Sequence, residues 1–257
     1  LLATGWARAA LNQNEIRARI KEGTGLELDI PSADQELQNR YYGASRYRRG
    51  RIVLDPSYDR AELLSWPAAA PAPTRTLASV PYSAAGPMYF SSASYQSSEE
   101  ARRALRGRLL EDLQAPLDAL AAEVKKGALA PEVSVGPVGP LVPLALGGQL
   151  RNASGSWYDD VKWRAAANGA TVTTSPYGRV YGVVFPEQID RFFDSLTASQ
   201  FAQLRTNPIR DAYGVDLLYE TTLLDLLGDE VKATEFGFVF TNWHFGYLFT
   251  KLFPAPH

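Results

Sequence analysis

Two histidines, His244 and His257, are all that the chain holds, and it has no cysteine. Thiolate nucleophiles, thiolate metal sites and disulfides are therefore excluded. A Ser–His–acid triad would have to use one of those two histidines, and no Gly-x-Ser-x-Gly elbow accompanies them. His244 follows Trp243 in an aromatic stretch, where it reads as a packed or edge residue. There is no phosphate-binding P-loop and no Gly-x-Gly-x-x-Gly turn. Asp159 and Asp160 are adjacent. On a helix they would point about 100° apart, which suits a helix start better than a metal pair. Asn152-Ala-Ser154 matches a glycosylation triplet, a pattern that is common by chance. No residue is assigned as catalytic, cofactor-binding or metal-ligating.

The densest charge is Arg46, Arg48, Arg49 and Arg51, set among Tyr41, Tyr42 and Tyr47. Basic residues interleaved with aromatics can bind nucleic acid. The formal net charge is −2, so no whole-chain field draws polyanions. The alternative is a surface loop whose guanidiniums pair with carboxylates of a neighbouring subunit. These four arginines are the candidate inter-subunit contacts.

The elements that must position such groups follow from periodicity. Residues 1–30 hold one short helix with Leu11, Ile16 and Ile20, stopped by Gly23 and Gly25. Residues 31–97 read as extended or irregular, with three prolines between Trp66 and Pro73, and are either a functional long loop or hide strands, for example Thr74–Val80 and Pro87–Ser91. The span from Ser97 to Lys126 carries Leu105, Leu109, Leu113, Leu117, Leu120 and Val124 at helical spacing, so it predicts one long helix kinked at Pro116, or two helices broken there. Pro131 to Gly148 is apolar and punctuated, a hinge or a strand. A helix is expected from Ser156 to Ala167.

Gly178 to Phe185 reads as a strand, and Pro186 opens a helix whose buried face is Ile189, Phe192, Phe193 and Leu196. Phe201 and Leu204 mark another helix. Leu217, Leu218, Leu224 and Leu227 mark one more, ended by Gly228. Phe236, Phe238 and Phe240 share a strand face, expected to pair as a hairpin with Phe245–Thr250. The hydrophobic share of 46% and charged share of 21% are those of a globular protein. No apolar run is long enough to span a membrane.

This order of parts resembles the major capsid protein of tailed bacteriophages, a fold shared with encapsulin shells. The local likeness lies in Tyr181 to Ile189, an apolar strand running into a Pro-Glu helix, and in Gly237 to Asn242, a late strand. Pro116 inside the long helix and the short tail after Thr250 depart from the family's pattern. The resemblance implies an α+β, phage major-capsid-like fold with an N-terminal arm (1–30) and an extended β-loop (31–97). A peripheral domain with a spine helix (98–146), a central apical α/β lobe (147–245) and a C-terminal return strand or tail (246–257) would follow. It implies a structural, non-catalytic subunit of an icosahedral shell, located in the virion and assembled in the host cytoplasm. Its partners would be copies of itself in hexamers and pentamers, and packaged DNA through non-specific contacts, with no cofactor and no membrane. Two alternatives accompany it. Pro87 to Ser94 resembles a strand of ADP-ribosyltransferase-like folds, in which Glu235 would orient a ribose. The other is a non-assembling phage or secretion accessory protein.

Overall fold

The computed structural model describes residues 3, 5–45, 49–56, 60–81, 97–136, 141–146, 171–175, 178–206, 216–239 and 247. In chain order these form α1 (Gly5–Ala9), α2 (Gln13–Thr24), α3 (Ala33–Ser45), β1 (Ile52–Pro56), β2 (Arg60–Ser65), β3 (Thr74–Pro81) and α4 (Ser98–Lys125). Then come β4 (Glu132–Val135), α5 (Leu141–Leu146), β5 (Thr171–Ser175), β6 (Gly178–Val184), α6 (Pro186–Ser195), α7 (Ala198–Thr206), α8 (Leu217–Glu230) and β7 (Glu235–Val239).

The strands make one seven-stranded sheet in the order β3-β2-β1-β4-β7-β6-β5. Its middle is parallel: β1 pairs with β4, and β4 with β7. Its flanks are antiparallel meanders, β1-β2-β3 on one side and β7-β6-β5 on the other. All five residues of β1 are buried, as a strand covered on both faces must be.

Alternation sorts those residues between two cores. Ile52, Leu54, Ala61, Leu63, Val133, Val135, Phe236 and Phe238 point into the main core, under helices α4 to α8. Val53 and Leu64, cross-strand partners, point the other way, into a smaller cluster with Trp66 and with Tyr41, Tyr42 and Ala44 of α3. Tyr41 and Tyr42 lie 5.4 and 4.9 Å from the Trp66 ring. The Tyr41 hydroxyl donates to the Arg51 carbonyl at 3.0 Å and accepts from the Arg51 N–H at 3.1 Å. Helix α3 is thus bolted to the sheet face opposite the main core.

Local chemistry explains the helices. Ser97 Oγ accepts from the Glu100 N–H at 3.1 Å and so caps α4. Ala101, Leu105, Leu109, Leu113, Leu117 and Leu120 bury one stripe, each leucine contributing about 1.5–3 kcal/mol. The helix runs through Pro116 without a break. At α6, Pro186 occupies the first turn, where a missing N–H costs nothing, and Gln188 Oε1 accepts from the Phe185 N–H at 2.9 Å. Asp216 Oδ1 accepts from the N–H groups of Leu218 and Tyr219, both at 3.1 Å, and opens α8. Every residue from Leu217 to Leu227 is buried, so α8 is the central helix of the main core. It continues past Gly228 to Glu230, with Val231 as its C-cap, and Lys232 just beyond adopts a left-handed φ of 62°.

The phage-capsid expectation is corrected by this architecture. Residues 31–97 were expected to supply an extended β-loop. They hold α3 and the meander β1-β2-β3 instead, and β1 is hydrogen-bonded to the sheet's central strand β4. The expected spine helix is α4, laid against the sheet and α8. Strand β7 is an interior strand between β4 and β6, rather than half of a terminal hairpin. The segments around Pro87–Ser94, Asn152–Ser154, Ser156–Ala167, His244, Phe245–Thr250 and His257 lie outside the described residues.

Candidate active site

In an open sheet with parallel strands, ligands bind outside the carboxyl ends of those strands. Here β1, β4 and β7 deliver Asp55-Pro56, Val135-Gly136 and Phe238-Val239 to one edge. The Gly136 N–H donates to the Leu54 carbonyl at 3.0 Å, so β4 accompanies β1 up to that edge. The β1–β2 pairing reaches the same edge, Pro56 against Ala61.

Two acids occupy this end of the hairpin. Asp55 and Glu62 are direct cross-strand partners on the α3 side of the sheet. They are only 5% and 6% exposed. Like charges facing each other across an antiparallel pair repel. Arg40 of α3 answers that charge: its Nε donates to Asp55 Oδ2 at 2.6 Å, and its Nη1 pairs with Glu62 Oε2 at 2.6 Å. Burial alone would lower the guanidinium's pKa, but the attraction of Asp55 and Glu62 outweighs it and raises the value. The result is a buried acid–arginine–acid triad at the carboxyl end of β1. Among the described residues no group of three or more His, Asp or Glu side chains gathers into a metal centre. The pair already gives oxygens to Arg40.

Of the four arginines singled out by sequence, Arg49 lies over the Trp66 ring at 4.5 Å and Arg51 pairs with Glu132 of its own chain. Arg46 and Arg48 lie outside the described residues. Both described arginines sit at the amino end of β1, away from the acid pair. Asp159 and Asp160 also lie outside the described residues. Glu235 begins β7, at the end of the sheet opposite the triad.

The sequence reading missed Arg40, Asp55 and Glu62. The available signal was an acid closing the apolar run Ile52 to Leu54 and followed at once by Pro56 and Ser57, turn residues at a strand end.

No family model and no curated protein matches the sequence. Solved structures do. The chain is similar to an exopolyphosphatase from Cytophaga hutchinsonii, with a TM-score of 0.54 at 12% identity over 99% of this chain and 75% of that one. It is similar to the type II variant of the Aquifex aeolicus Ppx/GppA phosphatase, with a TM-score of 0.53 at 15% identity over 98% and 74%. A further Aquifex aeolicus structure of the Ppx/GppA family gives 0.51 at 16% identity over 100% and 74%. The chain has a Ppx/GppA-type fold.

That fold overturns the phage-capsid reading at each point. The icosahedral shell, the hexamers and pentamers of like subunits, the packaged DNA and the virion location all rested on the capsid resemblance, and they fall with it. The expectation of a protein without catalysis came from the capsid resemblance and falls with it; the solved structures that share this fold are described as a phosphatase and an exopolyphosphatase. Neither the ADP-ribosyltransferase-like alternative nor the accessory-protein alternative fits it.

Proposed function

We propose that the chain is a phosphohydrolase that cleaves terminal phosphate from a phosphoanhydride chain, at the sheet edge formed by the carboxyl ends of β1, β4 and β7. One observation carries the reading: a buried pair of carboxylates, Asp55 and Glu62, stands at the carboxyl end of a central parallel strand in a Ppx/GppA-type fold. Burying two acids is costly unless they are paired, as Arg40 pairs them here.

Phosphoryl transfer asks little covalent chemistry of a protein. Positioning and charge stabilisation carry most of it. In the proposed reaction a water oxygen attacks the terminal phosphorus, the bridging P–O bond breaks, and the shortened chain leaves as the anion. Asp55, nearest the strand end, takes the proton of the attacking water. Glu62 across the hairpin fixes the field in which it does so.

The test is phosphate release from inorganic polyphosphate by the purified chain, measured with and without added Mg²⁺. Asp55→Asn should lower kcat by about 10²–10⁴, the usual contribution of a positioned general base. Full activity in that variant would remove Asp55 from the mechanism. Absence of release by the unaltered protein, from polyphosphate and from nucleoside triphosphates alike, would overturn the reading.

A further inference from the structure

Arg40 comes from outside the hairpin that it serves. Its helix is held by a separate set of contacts: Tyr41, Tyr42 and Ala44 pack with Val53, Leu64 and Trp66, and the Tyr41 hydroxyl is tied to both backbone groups of Arg51. The Arg40 backbone is therefore placed independently of the acids. Its side chain is only 16% exposed. Nε and Nη1 belong to one rigid plane, so the hydrogen bond to Asp55 and the ion pair with Glu62 place the two carboxylates relative to each other as well as to α3.

We propose that Arg40 is the positioning residue of the acid pair: it acts through Asp55 and Glu62, holding the two carboxylates together against their mutual repulsion and in alignment, and so makes the site depend on the docking of α3. The inference rests on the phosphohydrolase reading for its activity arm only. A lysine supplies the charge without the planar fork, and a methionine supplies neither, so the two variants separate charge from alignment.

Loss of the guanidinium leaves two carboxylates that resist ionising together, and one of them should keep its proton to higher pH. Glu36, one turn earlier on α3, is bound to Arg8, and β4 presents Ser134 on this face, which does not titrate in the range. Arg51 and Glu132 pair with each other at the far end of β1 and β4.

The experiment follows carboxyl ¹³C shifts of Asp55 and Glu62 through an acid titration in the full chain, Arg40→Met and Arg40→Lys. Phosphate release from polyphosphate is measured on the same samples, and hydrogen exchange over residues 33–45 reports the docking of α3. Arg40→Met should raise the pair's upper titration by about one pH unit or more. With α3 still protected, its kcat should fall about 100-fold, as a small misplacement of reacting groups does, while KM changes little. Arg40→Lys should keep the titration near its original place and recover only part of kcat. An unmoved titration in Arg40→Met overturns the proposal whatever the activity. So does an undiminished kcat. Should Arg40→Met fail to fold, Arg40→Lys decides, and full kcat there overturns alignment as the role. A titration that shifts in a protein that releases no phosphate overturns the phosphohydrolase reading and leaves the positioning of the pair standing.

Discussion

Replacing Asp225 by alanine should be among the most damaging single changes away from the sheet. Asp225 lies on α8, with its side chain 4% exposed. It accepts from Arg102 Nε at 3.1 Å and Arg102 Nη2 at 2.6 Å, and pairs with Arg106 Nη1 at 2.8 Å. One carboxylate therefore gathers two guanidiniums of α4. Arg102 also reaches Asp190 of α6 at 2.6 Å and lies 4.5 Å from the Phe193 ring, so the network ties α4, α6 and α8 together. Removing one partner of a buried pair costs about 3–5 kcal/mol, because the other charge stays behind. Here both arginines keep an acid, Asp190 or Asp229, that faces solvent, which puts the cost near the lower end, about 3 kcal/mol. For a chain of this size that is a fall in melting temperature of about 6–12 °C. The assay is urea unfolding of Asp225→Ala beside Asp229→Ala, whose exposed carboxylate should contribute about 0–1 kcal/mol. A loss below about 1 kcal/mol for Asp225→Ala would refute the argument that burial sets the value of this network.

Pro116→Ala should stabilise the chain. Alanine in a helix interior is favoured by about 3 kcal/mol, less the 0.4–1 kcal/mol by which proline stiffens the unfolded chain, leaving roughly 2 kcal/mol, and a lower urea midpoint would show that α4 depends on the proline for its packing. Tyr247 donates its hydroxyl to Asp29, and burial first, then that bond and the Asp29 charge, push its pKa from 10.0 up to about 12. A raised folded-state value means that stability from this contact is complete below pH 10 and is lost as pH climbs from about 10 to about 12. Unfolding at stepped pH should therefore show a smaller alkaline loss in Tyr247→Phe than in the unaltered protein, and equal losses would refute the linkage.

The leucine stripe of α4 and the Pro186 helix were legible because each is an amphipathic helix that carries its whole signal locally. The face shared by Phe236 and Phe238 was legible from alternation alone. Strand β1 was not, because it is covered on both sides and shows no alternation, and Asp55 at its end and Glu62 on β2 looked like parts of a loop. Helix α3 hides for the opposite reason. Its described apolar contacts are little more than Leu37, Tyr41, Tyr42 and Ala44, too few for a stripe. Arg40, Asp55 and Glu62 are separated in sequence, and nothing short of the β1-β2 register and the docking of α3 brings them together.

The order of elements suited a capsid subunit because order is not topology. A long one-faced helix between a hairpin region and a later lobe describes a spine helix. It describes equally well the crossover that a chain needs before it can lay a strand parallel to an earlier one. In this protein α4 lies in the connection between the meander and β4, and β4 returns beside β1 in parallel register, Ile52 against Val133 and Leu54 against Val135. The discriminating feature is thus in the flanking strands rather than in the helix. A strand destined for the middle of a parallel sheet is apolar throughout, as Ile52 to Leu54 is, and an acid that closes such a run sits at the carboxyl end of the strand. The same rule that makes β1 hard to recognise as a strand makes Asp55 stand out at its end.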